Sequence, residues 1–356
     1  MSANWVQKLF RKLWRVESSM RPEADDSLTP AQARVVRLAQ KFPPMHRFRP
    51  AIVRALYWAL EQPFSLDRVP MSRIVDYRFA ADVSSTAGDE MGLRVYYPTA
   101  SIDGAPRPAM VYYHGGGCVI GSVATHDILC RFIAEKTGLV VLSVDYRCAP
   151  GVKFPVPVED AISAWNWVSD NAQLLGIDIG KTGVGGDSAG AYLATSVCLQ
   201  FLQPALKHKP QVMPAYQWLL YPMLDLRGET ASYQRCTDGM LLTRDFMFYL
   251  RDHYLNDLSE ASDPIASPVL TESLAGLPPT YVLTLQHDPL VDEGHCYVAL
   301  MQDQGCQVEH QHHPNCMHGF VTFAGVCPDA HQVLVDAAQG LKILVQGKPY
   351  RPSMLI

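Results

Sequence analysis

The chain has 356 residues, of which 48% are hydrophobic and 18% charged, with 30 Lys and Arg against 35 Asp and Glu for a net charge of −5. That apolar share excludes a disordered tail or a coiled coil, and the acidic balance excludes the broad basic surface that nucleic acid demands. Nine scattered cysteines, without a Cys-x-x-Cys pair, argue against a disulfide framework and a ribbon-type zinc site, and point to a reducing compartment, by default the cytoplasm.

Residues 1–20 read as an amphipathic helix. Trp5, Leu9, Phe10, Leu13 and Trp14 fall near helical spacing, and Lys8, Arg11, Lys12 and Arg15 take the other face. Such a helix either touches a membrane surface peripherally or lies on the protein's own surface, and the second is the expectation. No apolar run approaches about 18 residues, so no integral membrane segment is expected, and the N-terminus lacks the apolar core of a signal peptide. Helical patterns follow at 30–41 and 50–62.

From residue 73 short runs rich in Val, Ile, Leu and Tyr alternate with helical stretches. Strands are predicted at 73–80, 91–97, 109–113, 139–145, 182–186, 216–221, 281–286 and 307–313. Helices are predicted at 127–137, 157–175, 189–202, 292–304 and 328–345. The alternation predicts an α/β fold, a mostly parallel twisted sheet with helices on both faces. The first two strands, with no helix between them, predict an antiparallel edge. Residues 226–268 break the alternation and hold a helical stretch at 243–254 rich in Phe246, Met247, Phe248, Tyr249 and Tyr254. An insertion of that length needs a surface to pack on. The chain is therefore divided into an N-terminal cap segment (1–72), a core in two parts (73–225 and 269–356) and a cap insertion (226–268).

The strongest chemical signal is Gly186-Asp187-Ser188-Ala189-Gly190, which follows a strand and opens a helix. Gly-x-Ser-x-Gly at such a turn is a nucleophile elbow, too sharp for side chains at its flanks. It presents the Ser188 hydroxyl above the sheet and the Ala189 N–H beside the reacting carbon. His114-Gly115-Gly116-Gly117 follows another strand. Its unshielded N–H groups suit a developing oxyanion. A phosphate loop is not indicated, because no Gly-Lys-Ser/Thr follows. A nucleophilic serine needs a base and an orienting acid, in this fold in the order Ser, Asp or Glu, His. Asp288 comes directly after a strand; Asp292, the second candidate acid, stands where it would simply cap the next helix. His318 follows the last predicted strand. His310, His312 and His313, with Cys316 and His318, invite a metal reading, but alternation sends His313 to the other face and no His-Glu-x-x-His helix accompanies them, so no metal is expected.

Together these residues resemble the bacterial hormone-sensitive-lipase-like esterases, an α/β-hydrolase family, over roughly residues 75–345. The resemblance rests on the glycine run at 114–117, Asp145-Tyr146-Arg147 with Ala149-Pro150, Phe154-Pro155 with Glu159-Asp160, the elbow at 186–190, Asp288-Pro289-Leu290 with Asp292-Glu293-Gly294, and His318-Gly319-Phe320. It implies Ser188 as nucleophile, Asp288 as acid and His318 as base. It also implies oxyanion donors at Gly116, Gly117 and Ala189, and a helical cap built from the N-terminus and the insertion. Departures are Cys118, where an aromatic usually follows the glycines, Cys148 and Gly151 around Ala149-Pro150, and Cys316. Cys118 is the candidate substrate-binding position, since a smaller side chain there widens the pocket.

The expected activity is that of a serine carboxylesterase on small esters of short to medium acyl chain, with no cofactor. An amidase or arylformamidase on the same triad, and a receptor-like binding fold without catalysis, are the alternatives. The expected partner is a small-molecule ester. A homodimer and a peripheral membrane contact of the N-terminal helix stay open.

Overall fold

Runs of β-branched and aromatic residues become strands where both faces of a sheet can be covered. The structure, a computed structural model, describes residues 28–61, 64–81, 90–100, 105–206, 209–237 and 240–347, and the expected N-terminal amphipathic helix lies outside them. Strands β1 (Arg73–Ala80), β2 (Glu90–Tyr97), β3 (Arg107–Tyr113), β4 (Val140–Asp145), β5 (Ile177–Asp187), β6 (Gln217–Leu220), β7 (Thr280–His287) and β8 (Val308–Met317) form one sheet. Its order is β1-β2-β4-β3-β5-β6-β7-β8. β1 and β2 are the expected antiparallel edge, β2 also runs antiparallel to β4, and every other pairing is parallel.

Side-chain alternation splits the core in two. Val111 and Tyr113 of β3 join one cluster, with residues of the helices Val156–Asp170, Ala189–Leu202 and Val291–Asp303. Met110 and Tyr112 join the other, with residues of Asp127–Thr137 and Pro328–Val345. Helices therefore cover both faces, as a mostly parallel sheet requires. Because β3 lies between β4 and β5, the chain leaves it to one side and returns on the other. The crevice beyond the carboxyl ends of strands at such a reversal is where open α/β sheets bind ligands.

Three elements differ from the sequence expectation. β5 starts at Ile177 instead of 182, because Ile177 pairs with Arg107 across a register irregularity that short-range pattern does not reveal. The helical stretch at 157–175 breaks at Asn171, whose side-chain amide donates to the Trp167 carbonyl, 2.8 Å away, and caps the first helix. β8 runs on to Met317 instead of ending at 313, so the turn that carries His318 begins directly at that residue.

The N-terminal segment reaches both sides of the sheet. Pro30–Ala39 buries Val35, Val36 and Leu38 in the same cluster as the C-terminal helix, and its Gln32 side chain binds the Asn315 carbonyl (2.9 Å) and the Met317 N–H (3.0 Å). Pro50–Glu61 instead sends Val53 into the opposite cluster. Next to it, the Tyr249 hydroxyl of helix Arg244–Tyr254 donates to the Phe48 carbonyl, 2.8 Å away.

Candidate active site

Ser188 joins β5 to the helix Ala189–Leu202 with φ +54° and ψ −119°, a region that non-glycine residues rarely occupy. Its neighbours explain the flanking glycines. A Cβ on Gly186 would stand 2.4 Å from the Tyr113 carbonyl oxygen, and one on Gly190 only 1.8 Å from the same atom. The elbow thus packs glycine backbone directly against the end of β3.

The candidate base and acid arrive through strand register. His287 and Met317 are partners across β7 and β8, so Asp288 and His318 follow at the same level. His318 Nε2 lies 3.1 Å from Ser188 Oγ, and its Nδ1 lies 2.7 Å from Asp288 Oδ2. The carboxylate accepts the Nδ1 proton, which leaves Nε2 free to accept the serine proton. The other Asp288 oxygen accepts the Leu290 N–H at 2.8 Å, and the residue is 1% exposed. The Tyr221 ring meets the His318 ring edge-on at 4.6 Å. Asp292 lies elsewhere: its carboxylate accepts the Ser232 N–H at 2.7 Å and faces Arg235.

The glycine loop adopts three successive left-handed conformations, at Gly116 (φ +117°), Gly117 (+62°) and Cys118 (+57°). The Gly116 carbonyl accepts the N–H groups of Val119 (3.0 Å) and Ile120 (2.9 Å) and closes the turn. Among the described residues no acceptor pairs with the N–H groups of Gly116, Gly117 or Ala189. Leu250 of the helix Arg244–Tyr254 covers Gly117 so closely that a Cβ there would stand 2.8 Å from Leu250 Cδ1. Cys118 is fully buried beside the Tyr254 hydroxyl, and burial pushes its thiol pKa well up, so the sulfur remains protonated. His114 is no base. Burial and the neighbouring His126 hold its pKa at about 3, and its neutral ring donates from Nδ1 to the Gly115 carbonyl (2.9 Å) while stacking on Tyr146.

Sequence reasoning missed a charged cluster beneath the elbow. Asp187 accepts from the Tyr112 hydroxyl (2.5 Å), the Gly115 N–H (2.9 Å) and the Tyr221 hydroxyl (3.4 Å), and His126 Nε2 stands 3.3 Å away. Burial alone would raise the Asp187 pKa, but His126 and these donors outweigh it and hold it at about 2. For His126 burial works against the cation, yet Asp187 and then Glu61 raise its pKa. Glu61, carried by the helix Pro50–Glu61, is pushed up to about 8, first by burial and then by Asp187, against the pull of His126. One carboxylate thereby links the glycine loop, the elbow and the tyrosine that rests on the catalytic histidine candidate. The Thr125-His126-Asp127 run reads only as a helix start, so no sequence signal marked it.

The histidines of β8 have another use. His310 Nε2, His312 Nδ1 and His295 Nε2 lie 2.8, 3.0 and 3.2 Å from Thr284 Oγ1, while His313 faces the other side of the strand. Among the described residues no group of three His, Cys, Asp or Glu is arranged to hold a metal ion. No described helix is long and apolar enough to cross a membrane.

A family model described as the alpha/beta hydrolase fold matches residues 110–322. The chain is 38% identical over 234 residues to the carboxylic ester hydrolase LipN of Mycobacterium tuberculosis. That match covers 65% of this chain and 61% of LipN, less than two thirds of the relative's length. It is 31% identical over 264 residues to the ethyl acetate hydrolase of Pseudomonas putida, covering 74% of this chain and 82% of that one. Among solved structures, the hyperthermophilic esterase from the archaeon Pyrobaculum calidifontis superposes with a TM-score of 0.80 at 34% identity, over 88% of this chain and 98% of that one.

Proposed function

The chain belongs to the α/β-hydrolase fold family, alongside the hormone-sensitive-lipase-like carboxylesterases, and from that premise we propose that it is a serine carboxylesterase acting on small esters through an acyl-enzyme. The observation that carries the reading is the unbroken relay from Ser188 Oγ to His318 Nε2 (3.1 Å) and from His318 Nδ1 to Asp288 Oδ2 (2.7 Å). His318 takes the serine proton as Ser188 Oγ attacks the ester carbonyl. The tetrahedral oxyanion is met by the N–H groups of Gly116, Gly117 and Ala189, which are fixed before the charge develops. His318 returns the proton to the departing alcohol. A water, deprotonated by the same ring, attacks the acyl-enzyme and releases the acid and Ser188. Asp288 holds the imidazole tautomer and stabilises the imidazolium. These proton and acyl transfers balance without metal or cofactor, and all three residues come from one chain, so no second copy is required.

In this reading the described residues within 28–72 and 226–268 form the cap. Leu250 over Gly117 and Tyr249 on Phe48 support it. The nine free thiols support a reducing, cytoplasmic setting. Each methylene buried in an apolar pocket contributes about 0.8 kcal/mol, so turnover rises with acyl length until the capped pocket is full. Overpacking beyond that point costs about 1–3 kcal/mol. Assay of p-nitrophenyl esters from acetate to palmitate tests the reading. Short or medium esters should turn over best, and Ser188→Ala should abolish turnover. Palmitate hydrolysed as fast as butyrate would overturn the capped pocket, and an inactive wild type would overturn the esterase.

A further inference from the structure

The glycine loop holds a conformation that glycine adopts freely at two positions and that Cys118, at the third, does not favour. Three consecutive residues lie at positive φ, and the third, Cys118, has a Cβ. At a residue with a Cβ such a conformation is strained, and it persists only where the surroundings over-determine it. Part of that support comes from outside the sheet. Arg54, on the helix Pro50–Glu61, donates from Nε to the Val119 carbonyl at 2.8 Å and from Nη2 to the Ala149 carbonyl at 2.5 Å. Both acceptors grip the loop. The Val119 N–H closes the turn onto the Gly116 carbonyl at 3.0 Å, and the Ala149 N–H donates to the Cys118 carbonyl at 2.8 Å. The guanidinium therefore bridges the two segments between which Gly116, Gly117 and Cys118 are held. A planar fork with fixed donor directions suits two carbonyls at set positions; an ammonium on a flexible stem does not fix both at once. On the far side of the loop, the Gly115 N–H is anchored by Asp187 at 2.9 Å. The N–H groups offered to an oxyanion thus lie between an acidic anchor in the core and a basic anchor in the N-terminal segment.

We propose that Arg54 is a positioning residue for the oxyanion hole, through which the N-terminal segment sets the aim of the Gly116 and Gly117 N–H groups. It touches no reacting atom and acts through the Val119 and Ala149 carbonyls. The inference rests on the esterase reading and deepens it. Loss of an oxyanion-hole donor outright costs about 10²–10³ in kcat. A loosened loop keeps its donors but misaims them, so Arg54→Met should lower kcat for p-nitrophenyl butyrate by about tenfold to a hundredfold. KM should stay within about twofold, because the ground-state ester makes little use of the hole. Inhibition by a short alkyl trifluoromethyl ketone, whose serine adduct carries the oxyanion, should weaken by the same factor as kcat/KM. A merely structural role would not produce that match. Arg54→Lys, which keeps the charge and reaches one carbonyl, should show a smaller loss of the same kind. It also decides the matter if Arg54→Met does not fold.

Wild-type kcat and ketone affinity in folded Arg54→Met or Arg54→Lys would overturn the inference alone. So would a loss expressed in KM with kcat intact. A wild-type protein without turnover would instead overturn the esterase reading, and this inference with it.

Discussion

Ser188 and Asp288 each do one thing that the neighbouring residue of the same chemical type cannot. The strained backbone at Ser188 (φ +54°) lifts its hydroxyl to His318, whereas Ser196, two turns along the same helix, donates its hydroxyl to the Tyr192 carbonyl at 2.9 Å. Asp288 faces the imidazole, while Asp292 holds the Ser232 N–H. Asp288→Asn should therefore keep the fold and lower kcat by about 10⁴, because the imidazole loses its enforced tautomer. Asp292→Asn should lower it less than about threefold. Parallel kinetics on both variants check this, and a larger loss from Asp292→Asn would exchange their roles. These residues were legible because each stands beside local punctuation: glycines around Ser188, Pro289 after Asp288, Gly319 after His318. Arg54 was not. It reaches 65 residues along the chain to Val119 and 95 to Ala149, and a lone arginine in a helical pattern reads as solvated surface.

At the scale of elements, the site depends on backbone meeting backbone where β3, β5 and the helix Ala189–Leu202 converge. Gly190→Ala would drive a Cβ to 1.8 Å from the Tyr113 carbonyl oxygen, a clash that only movement of β3 or the helix relieves. Its expression should yield little folded protein. Gly138 is a useful contrast: it ends the helix Asp127–Thr137 at φ +78°, and nothing lies within 4 Å of an added Cβ. Gly138→Ala should cost only about 1 kcal/mol, the strain of the left-handed backbone. The yield of folded protein, with thermal unfolding of what is recovered, separates packing from conformational strain in the two variants, and similar losses would contradict the account. The elements themselves were largely readable from period and apolar runs. What pattern missed were the start of β5 and the end of β8, both set by pairing with a neighbour strand, which no local window contains.

Across the whole molecule, the N-terminal segment is tied to the core through charge as well as packing. Glu61 brings a buried carboxyl toward His126 and Asp187, and burial lifts its pKa from 4.5 to about 8. Its folded pKa is thus above its unfolded one. Its contribution is most favourable below pH 4.5, is lost as pH rises through the window from 4.5 to about 8, and stays constant above it. Glu61→Gln, with no proton to lose, should match wild type in melting temperature near pH 4.5 and exceed it increasingly toward pH 8. Equal melting temperatures across that range would mean that the carboxyl is not held in this environment. Charge, composition and cysteine usage indicated the broad class, but the coupling of residues 50–61 to the site rests on contacts between distant segments and left no trace in sequence spacing.

The most direct test of the central claim is covalent. Incubation with diethyl p-nitrophenyl phosphate, whose phosphoryl group is attacked by an activated serine with loss of p-nitrophenolate, should inactivate the enzyme stoichiometrically. Peptide mapping by mass spectrometry should place one diethylphosphoryl group on Ser188, and His318→Ala should slow the labelling by orders of magnitude. A label on any other residue, or ester hydrolysis that persists with Ser188 unlabelled, would contradict the account.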